Sequence, residues 1–234
     1  MLISLCAALT AAPSFALASN ACETPTLSTK AAVTTSYGSA YGVETYYRSP
    51  DEAVARFVTD KPALMAVEGP LVWVESADGA ALAGDNERRF VIGHQFLALA
   101  LYFDDIMTGV ERVKNIDFKG GKFKGRKGAY PEGGNATLVA DREGRPLGLL
   151  LELPDETRIE VDYSDWRDTA SGKPAPHAAT ILHNGNAFTY RFTEVTFGKG
   201  GAAAFAAAFP APAIAAVADY RAAQAEAAAD CGGQ

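Results

Sequence analysis

The sequence predicts a mainly β, α+β protein: a curved antiparallel sheet or half-open β-barrel with a central lid-like helix and an alanine-rich C-terminal helix. Residues 110–198 alternate short β runs with clusters of turn residues, which is typical of an antiparallel meander. One stretch in the middle instead repeats its apolar residues at the 3.6-residue spacing of a helix. With 234 residues, 48% of them hydrophobic, the chain suits one main domain.

The N-terminus begins with "MLISLCAALTAAPSFALA", which carries no charged side chain. The small residues Ala16 and Ala18 fit an A-x-A cleavage site, so we predict that residues 1–18 are a signal peptide and that the mature protein is periplasmic or secreted. The alternative is a membrane anchor. Against it, Pro13 interrupts an apolar run of roughly 18 residues, the lower limit for spanning a bilayer.

Cleavage at this site removes Cys6 and leaves Cys22 and Cys231. Because an exported chain lies in an oxidising compartment, we expect these two cysteines to form a disulfide. Lipidation of Cys22 is the alternative, although "SNAC" lacks the leucine that a lipoprotein signal places three residues before the cysteine.

Residues 19–41 are rich in Ser, Thr and Ala and show little periodicity, so we interpret them as a flexible arm. The β-rich, ligand-binding-type domain then covers residues 42–200. Its first strands are "VETYYRS" and "AVARFVTD", and the apolar stretch "ALMAVEGPLVWVES" contributes Trp73 to the core.

A helix is predicted from about Glu87 to Met107. One of its faces carries Ile92, Phe96, Leu99, Phe103 and Ile106, and a second apolar row widens that face. So broad a stripe indicates a helix that is covered on most sides by sheet, by ligand or by both.

The strands that follow include two local signals. Asn184-Gly185 between two β runs is a strong hairpin signal. In the return strand the apolar residues change parity after Phe192, which predicts a β-bulge near Thr193 or Glu194. Residues 201–234 are alanine-rich, and a helix is predicted from about Pro212 to Asp230.

The net charge of −7 and pI near 5.0 exclude a nucleic-acid partner, which requires a surplus of cations. One segment is nevertheless basic. It is either a solvated hairpin or an edge that meets anionic headgroups or an acidic partner. The candidate contact residues are Lys119, Lys122, Lys124, Arg126 and Lys127.

No catalytic apparatus is predicted. We interpret "YSDWRD", residues 163–168, as a turn; a paired-carboxylate site would need Asp165 and Asp168 in one pocket. His177 and His183 lie too far apart along one strand to share a metal ion. We therefore expect neither a metal nor a cofactor.

The succession "ATLVADREGRPLGLLLELPDETRIEVDYSDWRD", followed by "GKPAPHAATILHNGNAFTYRFTEVTF", resembles the C-terminal sheet of the periplasmic lipoprotein carriers and outer-membrane lipoprotein-sorting proteins (LolA-like). The resemblance covers about residues 136–198. It implies a half-open barrel with helices at its mouth and an apolar cavity for acyl chains. The candidate cavity residues are Trp73, Phe96, Leu99, Phe103, Tyr163, Phe188, Tyr190 and Phe192.

Three functions remain open at this point. The first is an envelope carrier or chaperone for a lipid or acylated ligand, and the second is an interaction module with a filled core that docks on an envelope protein. The third is a hydrolase that uses Asp165, Asp168 or His177. An apolar cavity favours the first, a solid core favours the second, and a pocket uniting His177 with an acid favours the third. We expect a monomer.

Overall fold

Alternating polarity and tight turns fold residues 23–229, the part of the chain that the computed structural model describes, into one 13-stranded antiparallel sheet. The sheet is curved and does not close into a barrel, and 56% of the structure is strand. The mainly β fold class is therefore confirmed. The predicted signal peptide, Cys22 and Cys231 lie outside the described residues.

The strands are β1 (Thr24–Thr35), β2 (Ala40–Ser49), β3 (Glu52–Val58), β4 (Ala63–Glu68), β5 (Leu71–Ser76), β6 (Gly79–Leu82), β7 (Thr108–Phe118), β8 (Gly121–Ala129), β9 (Asn135–Ala140), β10 (Pro146–Glu152), β11 (Arg158–Asp168), β12 (Pro174–His183) and β13 (Asn186–Gly200). The helices are α1 (Asp85–Gly93), α2 (Phe96–Leu101), α3 (Phe103–Ile106), α4 (Ala202–Ala208) and α5 (Ala215–Ala229). Within residues 23–229, no helix has both the length and the apolar character needed to cross a membrane.

The first and last strands of the described chain lie side by side at the centre of the sheet. Strands β1 to β6 step from the middle of the sheet to one edge, and β7 to β13 return from the other edge until β13 pairs with β1. Between these halves, α1 to α3 contact strands of both. We call the face that carries these three helices the inner face, and the opposite face the outer face.

The predicted flexible arm is wrong for residues 24–35, because these residues form β1 at the centre of the sheet. Leu27, Ala31 and Val33 are buried against the main core. Thr29 shares their face, and its hydroxyl hydrogen-bonds the hydroxyl of Thr45 at 2.7 Å. Ser28, Lys30 and Ala32 alternate with these positions, so the sequence shows the buried face only weakly.

The single helix predicted over residues 87–107 is divided into α1, α2 and α3. The first break lies at His94 and Gln95, where the buried Gln95 amide donates a hydrogen bond to the Val54 carbonyl at 2.9 Å. At the start of α1, the Glu87 carboxylate accepts the Gly84 N–H at 3.1 Å and so satisfies one of the free donors of the first turn.

The hairpin and the bulge are both confirmed. Asn184 and Gly185 have φ angles of 49° and 76°, as a two-residue hairpin turn requires. Lys30 pairs with Glu194 and Ala31 pairs with Phe192, so Thr193 is the extra residue. Its hydroxyl donates to the Lys30 carbonyl at 3.2 Å.

The turn predicted at "YSDWRD" is wrong, because β11 continues to Asp168 and the turn follows at residues 169–173. Asp165 has a left-handed φ of 56° within the strand. Its carboxylate is bound by Arg167 through two hydrogen bonds of 2.9 and 2.7 Å, which supports this unusual backbone conformation.

The C-terminal helices pack on the outer face of the N-terminal strands. Phe205 of α4 and Val217 of α5 join a separate buried cluster with Val54, Leu64 and other residues of β3 to β5. Part of the tail helix predicted over residues 212–230 is thus present as α5, which starts at residue 215. The outer face of the C-terminal strands instead carries a small cluster around Phe118 without a helix over it.

Candidate ligand-binding site

The centre of the inner face is filled by Phe96. Its ring lies 4.8 Å from the ring of Tyr190 in an edge-to-face contact, and 6.0 and 6.3 Å from the rings of Phe192 and Tyr163. The Tyr163 hydroxyl donates to the Phe96 carbonyl at 2.7 Å. Burial raises the pKa of the Tyr163 and Tyr190 hydroxyls well above the ordinary value, so both stay neutral.

Most of the predicted cavity residues come together in this core. Phe96, Leu99, Phe103, Tyr163, Tyr190 and Phe192 belong to one buried cluster on the inner face. Phe188 lies at the margin of this cluster, with its ring 6.2 Å from that of Tyr37. These residues therefore form packed core in this structure rather than the wall of an open cavity.

Trp73 does not lie in that group. It pairs with Ala66 of β4 and is buried in the outer-face cluster beneath α4 and α5. Its indole N–H donates to Glu68 at 2.8 Å. The neighbouring Val72 belongs to the inner core, so β5 is buried on both faces. Because successive side chains of a strand point to opposite faces, Trp73 lies on the outer face.

An open cavity of about 300 Å³ lies beside α1, between that helix and the ends of strands β9 to β11. Buried Tyr130 and Leu151 and half-buried Leu153 and Ile159 give it apolar walls. This volume is at the lower end of the range for small-molecule sites in proteins. The remaining lining residues are Arg89, Gly93, Glu132, Pro154 and Asp155.

Arg88 fixes α1 in place above this cavity. Its guanidinium donates to the Gly69 carbonyl and to Asp51, both at 2.8 Å, and to the Pro50 carbonyl at 3.3 Å. It also donates to Glu132, a cavity-lining residue, at 3.1 Å. One side chain thus joins α1 to the β2–β3, β4–β5 and β8–β9 turns.

The environment of Arg88 favours its charged form. Burial by itself lowers the pKa of the guanidinium, but Glu132 and Asp51 outweigh that effect and raise it. Arg88 is not recognisable from the sequence. In "NERRF" nothing distinguishes Arg88 from the exposed Arg89, because the three turns that bind Arg88 are distant in sequence.

The predicted anionic-surface residues divide between the two faces of the β7–β8 hairpin. Lys122, Lys124 and Arg126 lie on the inner face, since Arg126 pairs with Leu138 in the sheet register and contacts Asp104 of α3. Lys119 and Lys127 lie on the outer face, where they form ion pairs with Asp162 and Glu152.

Asp165, near the end of β11, lies opposite His177, near the start of β12, and Asp168 ends β11. Both oxygens of Asp165 are engaged by Arg167, which holds the pKa of that carboxyl below its usual range. Asp168 is exposed, and His177 Nδ1 lies 3.2 Å from the Phe192 carbonyl oxygen. Across residues 23–229 no group of three or more potential ligands is placed to hold a metal ion.

No protein-family model and no curated protein matches this sequence. Solved structures do share its fold. The LolA superfamily protein NE2245 from Nitrosomonas europaea aligns with a TM-score of 0.53 and 10% identity, over 80% of this chain and 94% of that chain. The predicted fold resemblance, made on residues 136–198, thus extends over most of the chain.

Two other structures align less closely. One is a domain assigned as an outer membrane lipoprotein-sorting protein from Vibrio parahaemolyticus, with a TM-score of 0.48 and 10% identity over 74% of this chain and 85% of that chain. The other is a DUF1329 family protein from Desulfovibrio piger, with a TM-score of 0.47 and 9% identity over 78% of this chain and 89% of that chain.

Proposed function

We propose that this protein is an exported envelope protein that binds a lipid or acyl chain in its half-barrel and acts as a carrier or chaperone. The observation that carries the proposal is the apolar cavity of about 300 Å³ beside α1. The LolA superfamily fold that NE2245 shares adds support. A periplasmic location follows from the signal peptide predicted at residues 1–18.

The walls of the cavity suit an acyl chain. Leu153 and Ile159 leave apolar surface open to solvent, and covering such surface contributes about 25 cal/mol per Å². Each methylene that a ligand buries there contributes about 0.8 kcal/mol. Arg89 and Asp155 are exposed lining residues, so a polar head group has hydrogen-bonding partners where the cavity meets water.

An acyl chain too long for this cavity requires movement of α1. The aromatic interior next to the cavity is closed by Phe96, but α1 is held across the sheet turns by the hydrogen bonds of Arg88. Water can replace hydrogen bonds of this kind at a modest net cost. Outward movement of α1 would therefore enlarge the cavity towards the aromatic core.

A second function has its own supporting observation. The close packing of Phe96 with Tyr190 and Phe192 gives a filled interior, as an interaction module of the envelope would have. Such a module uses its surface and leaves the cavity beside α1 empty. The two proposals therefore differ in whether that cavity takes a ligand.

Gly93 offers a direct test, since it lines the cavity at the end of α1 and a Cβ placed there meets no atom within 4 Å. In Gly93→Leu, we expect the new side chain to occupy part of the cavity. Replacing a helical glycine also adds up to about 1 kcal/mol of helix stability. We expect the variant to be at least as stable as wild type but to bind a fluorescent fatty acid at least 10-fold more weakly.

The matched control is Gly84→Leu, which adds the same side chain at the exposed start of α1, away from the cavity lining. This variant should bind the probe as wild type does. If wild type binds no probe, or if Gly93→Leu binds as tightly as wild type, the cavity is not a ligand site and the interaction-module proposal replaces the carrier.

Native mass spectrometry of protein purified gently from its own host gives an independent readout. A lipid-sized adduct that leaves on activation supports the carrier. The same spectrum tests the predicted processing, because cleavage before Ser19 and one disulfide give the mass of residues 19–234 less two hydrogens. A diacylated chain that begins at Cys22 contradicts both of those predictions.

A further inference from the structure

The inner face of the β7–β8 hairpin is a continuous cationic surface. Arg112 lies directly opposite Arg126, and Lys114 lies directly opposite Lys124, so the four side chains share one face. Arg126 marks this as the inner face, because it contacts Asp104 of α3 and lies over the ring of Phe103 with 5.7 Å to the ring centroid. We call Arg112, Lys114, Lys124 and Arg126 the cationic patch.

Three members of the cationic patch lack an acidic neighbour. Among the described residues 23–229, Arg112, Lys114 and Lys124 have no carboxylate within ion-pair distance, and all three are exposed. Like charges directly opposite each other across two strands destabilise the pairing. The sheet retains two such pairs side by side in a chain of net charge −7, which indicates a role for the charges outside the fold.

The other face of the same hairpin is organised differently. Lys119 and Lys127 form ion pairs with Asp162 and Glu152, and Phe118 and Phe123 pack together with their rings 6.3 Å apart. The three cations without an ion pair therefore all lie on the inner face, which also carries the Lys122–Asp117 and Arg126–Asp104 pairs. Only the inner face presents excess positive charge to a partner.

The chemistry of the cationic patch fits a membrane surface better than a protein. Protein interfaces have an apolar, aromatic centre that is depleted in lysine. Here the aromatic ring beneath the patch, that of Phe103, is buried and lies under Arg126. Long cationic side chains without an apolar centre match a layer of anionic headgroups, which attracts such residues by about 1 kcal/mol each.

We propose that the cationic patch docks the protein on an anionic phospholipid surface. Docking on that surface would bring the half-barrel to lipid, but it does not depend on ligand binding in the cavity. The patch is also part of β7, a free edge of the sheet, where cations discourage edge-to-edge association. The test therefore separates membrane binding from protection of the edge.

The experiment is sedimentation of the full mature protein with vesicles of phosphatidylcholine alone or with 30% phosphatidylglycerol, at low and high salt. We expect binding only to the anionic vesicles, and loss of that binding at high salt because exposed charges are screened. The triple variant Arg112→Gln/Lys114→Gln/Lys124→Gln should bind them roughly 100-fold more weakly, as the removal of three such attractions implies.

The matched control is Lys119→Gln/Lys127→Gln, which removes two cations from the outer face of the same hairpin and should bind almost as wild type does. Equal losses of vesicle binding in the triple variant and in this control would show that the cationic patch is not the specific docking surface. So would wild-type binding that is absent, insensitive to salt or equal on neutral vesicles. Binding to polyglutamate beads but not to anionic vesicles would overturn the proposal in favour of an acidic protein partner.

Self-association of the triple variant, which size-exclusion chromatography detects, would make its vesicle sedimentation uninterpretable. In that case the binding of wild type to anionic and neutral vesicles at low and high salt tests the proposal alone. The fatty-acid assay separates the two proposals. Gly93→Leu should lose the fatty-acid probe and keep vesicle binding, whereas the triple glutamine variant should keep the probe and lose the vesicles.

Discussion

The two ends of the inner helical layer are held in opposite ways. At one end α2 is apolar and its Phe96 side chain is packed among aromatic rings of β11 and β13. At the other end α1 buries two of its nine residues, Val91 and Ile92, while Arg88 links it to three turns and a cavity lies beside it. Close packing has no replacement in water, whereas hydrogen bonds do. We therefore expect α1 to open more readily than α2.

The largest effect is expected at the packed end. Phe96→Ala should lower the free energy of unfolding by about 3–5 kcal/mol, because it leaves a void among tightly packed rings. Urea denaturation measures the loss. The matched change at the other end is Phe90→Ala on α1, where the side chain is 46% exposed and the loss should be about 1 kcal/mol or less. Equal losses at the two positions would remove the distinction between the two ends.

Arg88→Met is expected to lower stability less than Phe96→Ala does, but to increase the local opening of α1 more. The variant keeps a long side chain but loses the donors, so Glu132 is left half-buried without its partner. We expect a loss of about 1–3 kcal/mol. Hydrogen exchange should accelerate in α1 while α2 stays protected. Arg89→Met, at the exposed neighbour, serves as the control, and faster exchange throughout α1 to α3 would contradict separate opening of α1.

The smallest effect is a dependence on pH at the same end. Burial lowers the pKa of His94 below its ordinary value of 6.5, and the hydrogen bond to the Phe90 carbonyl only partly opposes this. The folded state thus favours the neutral ring, so its contribution to stability is complete above pH 6.5 and is lost as the pH falls below that value. Hydrogen exchange at pH 7.5 and 5.5, after correction for the intrinsic rates, should show α1 loosening in acid.

The control for that measurement is His94→Gln, which cannot gain a proton in this range and should exchange equally at both values after the same correction. If α1 of the variant still loosens at pH 5.5, another group is responsible. If wild type shows no change, protonation of His94 is not coupled to the position of α1.

The sequence was sufficient for features that are set by neighbours along the chain. Asn184-Gly185 and the parity change at Thr193 each predicted a local backbone geometry that the structure confirms. Helical spacing and strand alternation also place most of the aromatic candidates on one side, where they form one buried cluster, and their role as ligand contacts stays a prediction.

The features that the sequence did not reveal depend on distant pairing. β1 was missed because one of its two partner strands, β13, lies more than 150 residues away in the sequence. Trp73 was placed on the wrong face because Val72 and Trp73 are both apolar, so alternation does not choose between the faces. The contacts of Arg88 with Gly69 and Glu132 depend on how the sheet curves, which no local pattern encodes.

The pairing of β1 with β13 also has a consequence for how the chain folds. The first strand of the described chain finds its central partner only after about residue 186 has been synthesised. Contacts so distant in sequence slow folding, since the loop must close before they form. Until then β1 is an open edge that can pair with other chains. We therefore expect fragments that lack β13 to aggregate rather than fold, which makes the last strand the element that commits the molecule to its native state.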